Sequence, residues 1–302
     1  MACVRPRFPL LSVAWFLTLL GMHGLYVVLF CNYLLVDRVP LASRMVYMAA
    51  WHFFWAMHLW SYMATAMQNI KVPSSRYRLP PVLQTKLRER YTSYSQLQLI
   101  LQFCYDRDLT IEQRNLSTLG PDEVTDSHLA QIFCFVCLTV KPPRCSHCCF
   151  CKRCVLRKDR HCSVMFVCVS QTNFKAAQLM AFYSFCMAVV TLITGLPYLY
   201  SEWKRLYYEP EFWPMLGLGL LTSAGAQCVF NGLTGFGAFA FGVYLATKNL
   251  TLAEYRQRQT THVDYSLGSG WQNLTYFWGE NPLLWPFPIE PDYQKPLKCK
   301  KD

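Results

Sequence analysis

Charged residues are scarce in this chain and very unevenly placed. They make up 16% of its 302 residues, and four long stretches hold no Asp, Glu, Lys or Arg: Phe8–Val36, Met45–Ile70, Ala176–Ser201 and Phe212–Thr247. Each exceeds the ~20 residues that an α-helix needs to cross about 30 Å of hydrocarbon. An ordinary soluble domain is excluded, because its apolar residues are spread along the sequence. No small-residue cleavage site ends the first stretch cleanly, and it is far longer than the apolar core of a signal peptide. Despite Arg5 and Arg7 ahead of it, it reads as a retained span. Nor do basic and aromatic residues interleave as a nucleic-acid-binding face requires, so the net charge of +11 implies no nucleic-acid partner.

That charge is instead a membrane-flanking bias. Lys71, Arg76, Arg78, Lys86, Arg88 and Arg90 come after the second stretch, and Arg157, Lys158, Arg160 and Lys175 precede the third. The two short connections, Asp37–Arg44 and Glu202–Glu211, hold only four basic residues mixed with four acids. By the positive-inside rule the N-terminus, the long middle loop and the tail face the cytosol. The sequence therefore predicts an α-helical membrane protein with four transmembrane helices and a cytosolic cysteine-rich two-zinc domain between helices 2 and 3. Its segments are an N-terminal part with helices 1 and 2 (1–70), a cytosolic loop (71–131), the cysteine-rich domain (132–174), helices 3 and 4 (175–247) and a cytosolic tail (248–302). Within the loop, Tyr91–Phe103 reads as a short amphipathic helix, more readily a docking helix than a lipid site. The sequons at Asn115, Asn249 and Asn273 fall on segments expected in the cytosol, where they stay unmodified. Asn231 and the glycines at 232, 235, 237 and 242 imply close helix packing in the fourth span. His23, His52 and His58 share their spans with no carboxylate, so interhelical hydrogen bonding is their expected role.

Nine of the 15 cysteines fall between Cys134 and Cys168. A dense cysteine block is either a disulfide framework or a metal site, and a reducing cytosolic loop selects metal. The C-x-x-C spacing recurs at Cys134 with Cys137, Cys148 with Cys151, and Cys151 with Cys154, while His147 and His161 add borderline donors. One tight turn aims two thiolates spaced this way at a common ion, and zinc takes four such ligands in a tetrahedron. Six cysteines and two histidines suffice for two closed sites, leaving Cys145, Cys149 and Cys162 over.

The order C-x-x-C, K-P-P-R, H-C-x-x-C-x-x-C, D-R-H-C and a final Cys168 resembles the cysteine-rich domain of DHHC-type palmitoyltransferases over about forty residues. Four flanking spans fit that family. Tyr265–Asn273 looks like its C-terminal signature, Thr251–Glu254 like its T-T-x-E motif with the second Thr lost, and Asn173 like an Asn just past the last ligand. The resemblance implies one structural zinc on Cys134, Cys137, His147 and Cys154, and a second on Cys148, Cys151, His161 and Cys168. It implies Cys162 as the thiol that takes an acyl chain from palmitoyl-CoA and passes it to substrate proteins with membrane-proximal cytosolic cysteines. The acyl chain then needs an apolar cavity among the spans. Endoplasmic reticulum or Golgi is the family's commonest address.

Asp159 stands where the family keeps its Asp, but Arg160 replaces the first His of the motif. A guanidinium stays protonated and accepts no thiol proton. It can still favour a thiolate by its charge, or hold a phosphate of coenzyme A, the role the family gives to basic residues at Lys141 and Arg144. Ser163-Val164 and Phe166-Val167 stand in place of Pro-Trp and Asn-Asn. The alternative to an active S-acyltransferase is an impaired, zinc-stabilised membrane scaffold of the same fold. A RING-like ligase fits poorly, since its ligand groups bracket a longer loop.

Overall fold

The computed structural model describes residues 10–111, 119–256 and 265–291. Among them the chain forms two compact units: residues 69–162 with 167–172, and the flanking helical segments with 163–166.

The helical unit is built on four long elements. Helix α1 (Leu10–Gly24) widens into π-helical turns over Leu25–Leu34, and α2 (Leu41–Met67) opens behind Pro40. Helices α6 (Phe174–Tyr208) and α7 (Phe212–Thr247) come after the cysteine-rich region. Among the described residues three segments are long and apolar enough to cross a membrane, Val13–Leu34, Phe174–Tyr208 and Phe212–Thr247, their 18-residue apolar stretches having mean hydropathies of 1.9, 2.0 and 1.5. The 27 residues of α2 are long enough, but their His, Trp, Tyr and Ser leave them less apolar than those three.

Small residues let α7 approach α6. A Cβ on Gly232 would lie 2.2 Å from that of Ala188, and one on Gly235 would lie 2.6 Å from the carbonyl oxygen of Ala181. Gly242 meets the buried Gln178 in the same way, whereas Gly237 faces open space and takes no part in this contact. Polar side chains among the helices find one another. Tyr26 stacks on Trp51 at 4.2 Å and hydrogen-bonds Thr194 at 2.8 Å, and the Trp51 indole donates to His23 Nδ1 at 3.2 Å. His58 bonds across to α6, as expected of these histidines, while His52 bonds within its own helix to the carbonyl oxygen of Met48. The buried Glu202 pairs with Arg38 and with Arg205.

The tail is tied to the end of α7 through two asparagines. Asn249 donates to the carbonyl oxygen of Tyr265 at 2.6 Å; Asn273 accepts from the Leu267 N–H and donates to the carbonyl oxygen of Thr247, both at 2.8 Å. Thr251 and Glu254 cap α8 (Leu252–Arg256) reciprocally, each side chain taking the other's backbone N–H. Helix α9 (Gly270–Trp278) closes this part, with Ser269 capping it. The sequon at Asn115 lies outside the described residues.

In the other unit, α3 (Pro81–Arg88), α4 (Ser93–Asp106) and α5 (Asp126–Ile132) precede the cysteine-rich region. Thr92 caps α4 by accepting the Ser95 N–H at 3.2 Å. Leu97, Ile100, Phe103 and Cys104 recur at helical spacing and are buried with Leu79, Leu129, Ile132 and Phe133. The amphipathic stretch of the loop is thus a core helix of this unit, the docking role expected of it.

Candidate metal centre and adjacent thiol

Three antiparallel hairpins succeed one another: β1 (Phe133–Cys134) with β2 (Thr139–Val140), β3 (Ser146–Cys148) with β4 (Arg153–Val155), and β5 (Arg160–Cys162) with β6 (Val167–Val169). They repeat one design at a fourteen-residue step. Phe133 pairs with Val140, His147 with Cys154 and His161 with Cys168. Leu138, Lys152 and Phe166 close the turns with positive φ of 52°, 50° and 54°. Non-glycine residues seldom adopt that backbone, so its recurrence marks a shared turn rather than an accident.

In the first two hairpins the turn is a cysteine knuckle. The Cys137 N–H points at Cys134 Sγ, 3.4 Å away, and the Cys151 N–H at Cys148 Sγ, 3.5 Å away. The other two donors of each site come from the next hairpin, as the cross-strand pair His147–Cys154 or His161–Cys168. Each donor set, Cys134, Cys137, His147 and Cys154 or Cys148, Cys151, His161 and Cys168, lies within 4.8 Å.

The spacing suits zinc. Bonds of about 2.3 Å to sulfur and 2.0 Å to nitrogen put tetrahedral donors roughly 3.5–3.8 Å apart. Here His147 Nδ1 lies 3.5, 3.3 and 4.0 Å from the sulfurs of Cys134, Cys137 and Cys154. His161 Nδ1 lies 3.6, 3.5 and 3.8 Å from those of Cys148, Cys151 and Cys168. Burial, then Lys141 and Lys158, holds His147 below its ordinary pKa, and burial with Lys158 does the same for His161. Both rings are thereby kept in the neutral form that ligates. Burial pushes the Cys137 thiol up, so a metal arriving there displaces a proton. Phe150 stacks on the His161 ring at 4.7 Å.

The third hairpin breaks the pattern. Cys162 holds the position of Cys134 and Cys148, but Met165 stands where they have their second cysteine. The next pair along, at the same step from His161 and Cys168, is Lys175 and Phe182, which cannot close a third site. Cys162 therefore belongs to neither donor set and is half-buried. Side chains alternate along a strand, so Arg160 and Cys162 share one face of β5 and the ligand His161 takes the other. Asp159 is buried; its N–H donates to the carbonyl oxygen of Val169 at 2.9 Å and its carboxylate takes Arg160 Nη1 at 2.6 Å. The Arg160 side chain remains about one-third exposed.

Other residues singled out from the sequence lie elsewhere in this unit. The Lys141 ammonium donates to the Ala130 carbonyl at the end of α5, and Arg144 is buried at a φ of 62°. Of the leftover cysteines, Cys145 is buried against Cys134 and Cys154, and Cys149 is exposed. The fourteen-residue step is the main feature that motif spacing did not bring out. It was present in the ligand numbers, and it explains which cysteine is spare.

Fold and site define a helical membrane protein carrying two interleaved Cys3His sets able to hold metal, with the Cys162 thiol outside both. Residues 128–259 match the profile of the DHHC palmitoyltransferase family. Among similar proteins, palmitoyltransferase ZDHHC2 of Danio rerio is 27% identical over 92% of this chain and 71% of its own length. Probable protein S-acyltransferase 13 of Arabidopsis thaliana is 25% identical over 90% and 83%, and palmitoyltransferase ZDHHC20 of Homo sapiens is 29% identical over 87% and 68%. The match to the DHHC palmitoyltransferase family thus covers the whole cysteine-rich region, 132–174, and runs on through α6 and α7.

Proposed function

We propose that this chain is a protein S-palmitoyltransferase whose acyl carrier is Cys162. The observation that carries the assignment is the position of this thiol, which occupies a knuckle site but lacks the second cysteine and the subsequent pair that would commit it to metal. Its thiolate attacks the carbonyl carbon of palmitoyl-CoA, and the coenzyme leaves as its thiolate. A substrate cysteine then attacks the Cys162 thioester, takes the acyl group and returns Cys162 as thiolate.

Each part of the chain has a place in that cycle. Two zinc ions, one held by Cys134, Cys137, His147 and Cys154 and one by Cys148, Cys151, His161 and Cys168, fix the hairpins and take no part in the chemistry, since protein fills all four positions. Asp159 anchors Arg160, whose guanidinium shares a strand face with the reacting sulfur and supplies positive charge in place of a base. That charge, or the cations of Lys141 and Arg144, serves the phosphates of coenzyme A. Helix α2 is a fourth span: its 27 residues reach about 40 Å at 1.5 Å per residue. With it both termini and the hairpins face the cytosol, at endoplasmic reticulum or Golgi membranes. Substrates present cysteines close to the bilayer. A scaffold without turnover is the weaker reading, favoured only by Arg160.

The test is incubation of the purified chain with labelled palmitoyl-CoA. We expect a hydroxylamine-sensitive label that Cys162→Ala removes. No label on the native chain would leave the scaffold, and a label that survives the substitution would move the acyl carrier elsewhere.

A further inference from the structure

All four long helices line a small, half-open cleft in the helical unit, with Trp15, Met22, His58, Met187 and Asn231 among its walls. Its polar groups are largely occupied. Asn231 Oδ1 accepts from Gln227 at 3.0 Å, for example.

Two nitrogens differ. His58 is 1% exposed, and its Nδ1 lies 3.0 Å from the carbonyl oxygen of Met180 and 3.2 Å from Ser184 Oγ. A carbonyl oxygen only accepts, so Nδ1 carries the ring proton and Nε2 of the neutral imidazole presents a bare lone pair. That Nε2 is buried and has no partner among the described residues, and the same holds for the indole Nε1 of Trp15. Buried polar groups are almost always paired, and one left unpaired costs the full desolvation of that group. The two unmet needs are opposite in kind, an acceptor on α2 and a donor on α1, in walls that mix the apolar Leu19, Met22 and Met187 with Thr18, Ser184 and Asn231.

On an aliphatic chain, a hydroxyl is the smallest group that both donates and accepts. We propose that this cleft binds an aliphatic alcohol, its O–H donated to His58 Nε2 and its oxygen accepting the Trp15 indole N–H. Amides and carboxylates are larger and more heavily hydrated, and an alkyl chain alone satisfies neither nitrogen. The alcohol has two possible sources. One is a hydroxylated acyl chain brought by the acyl-CoA donor, which rests on the acyltransferase reading above. The other is a bilayer lipid with a free hydroxyl, which does not.

The full chain in lipid nanodiscs is titrated with 1-hexadecanol, hexadecyl methyl ether and hexadecane, with bound mass read by native mass spectrometry. The ether accepts but cannot donate. We expect the alcohol to bind about tenfold more tightly than the ether, the order of one unmet hydrogen bond, and the ether more tightly than the alkane. His58→Phe should erase the difference between alcohol and ether, and Trp15→Phe the difference between ether and alkane. If either variant fails to fold, the ranking on the native chain still decides. Equal binding of alcohol and ether, or retention of neither, overturns the proposal. Autoacylation by 16-hydroxypalmitoyl-CoA and by palmitoyl-CoA separates the sources. A preference for the hydroxylated donor that His58→Phe abolishes identifies the acyl chain, and no preference beside an intact alcohol ranking identifies the lipid. If neither donor labels the chain while the ranking holds, the acyltransferase reading fails and the alcohol site stands.

Discussion

The second and third hairpins of the cysteine-rich region have the same strand register, a positive-φ residue at the same turn position and a cysteine at the same place, yet one cysteine belongs to a donor set and the other does not. The difference is Cys151 against Met165, together with the pair that the next step of the repeat supplies: His161 and Cys168 after the second hairpin, Lys175 and Phe182 after the third. In such an array each hairpin lends its turn to one ion and its strands to the ion before. The last turn has no successor, which leaves its thiol outside both donor sets.

The largest effect should come from treating the two cysteines alike. Structural zinc contributes about 10–16 kcal/mol of apparent binding energy in small domains, against a total stability of about 5–15 kcal/mol. Cys148→Ser should therefore release zinc and expose the hairpin amides to hydrogen exchange, while Cys162→Ser keeps two ions per chain and native protection. Loss of zinc from Cys162→Ser would refute the distinction between these positions.

Restoring a base beside the thiol tests the third hairpin alone. A positioned base is typically worth about 10²–10⁴-fold, so Arg160→His should accelerate Cys162 acylation by on the order of 10²-fold. Slower acylation would show that the guanidinium is the better partner. A smaller change is expected from making the third turn resemble the second. Met165→Cys places two thiols as in Cys148–Cys151, and cadmium should then inhibit acylation at a roughly tenfold lower concentration, one added soft ligand being the only change. Equal cadmium sensitivity would mean that the turn cannot aim both sulfurs at one ion.

The mildest perturbation is acid. Burial holds His147 and His161 below their ordinary value of 6.5, so the unfolded chain binds more protons than the folded one as pH falls through that value. The stability these rings provide is complete above about 6.5 and declines below it, towards their lowered folded values. Zinc retention tracked through an acid titration should drop in that window; release beginning only on the alkaline side would contradict the sign.

The ligand set was legible because coordination chemistry restricts both residue type and spacing, and Cys134 to Cys168 carry both in a short span. The spans were legible to the extent that charge is absent, which fixes α6 and α7 well. Helix α2 also lacks charge over most of its length, but its His, Trp and Tyr content places it below the other three in apolarity. What the sequence could not convey were partnerships set by tertiary geometry. Lys141 serves the end of α5, Arg144 is interior, and Gly237 differs from Gly232 and Gly235 only by the side of α7 it occupies.

The burial of Asn249 and Asn273 bears on how sidedness is measured. Both lie in N-x-T sequons, and both amides are held by backbone atoms at 0% and 1% exposure. An oligosaccharide could be attached at either only by pulling the folded tail apart. Finding these asparagines bare would therefore carry no news of which compartment they face. An acceptor site engineered around Tyr91, 97% exposed, would make sugar attachment an informative reporter.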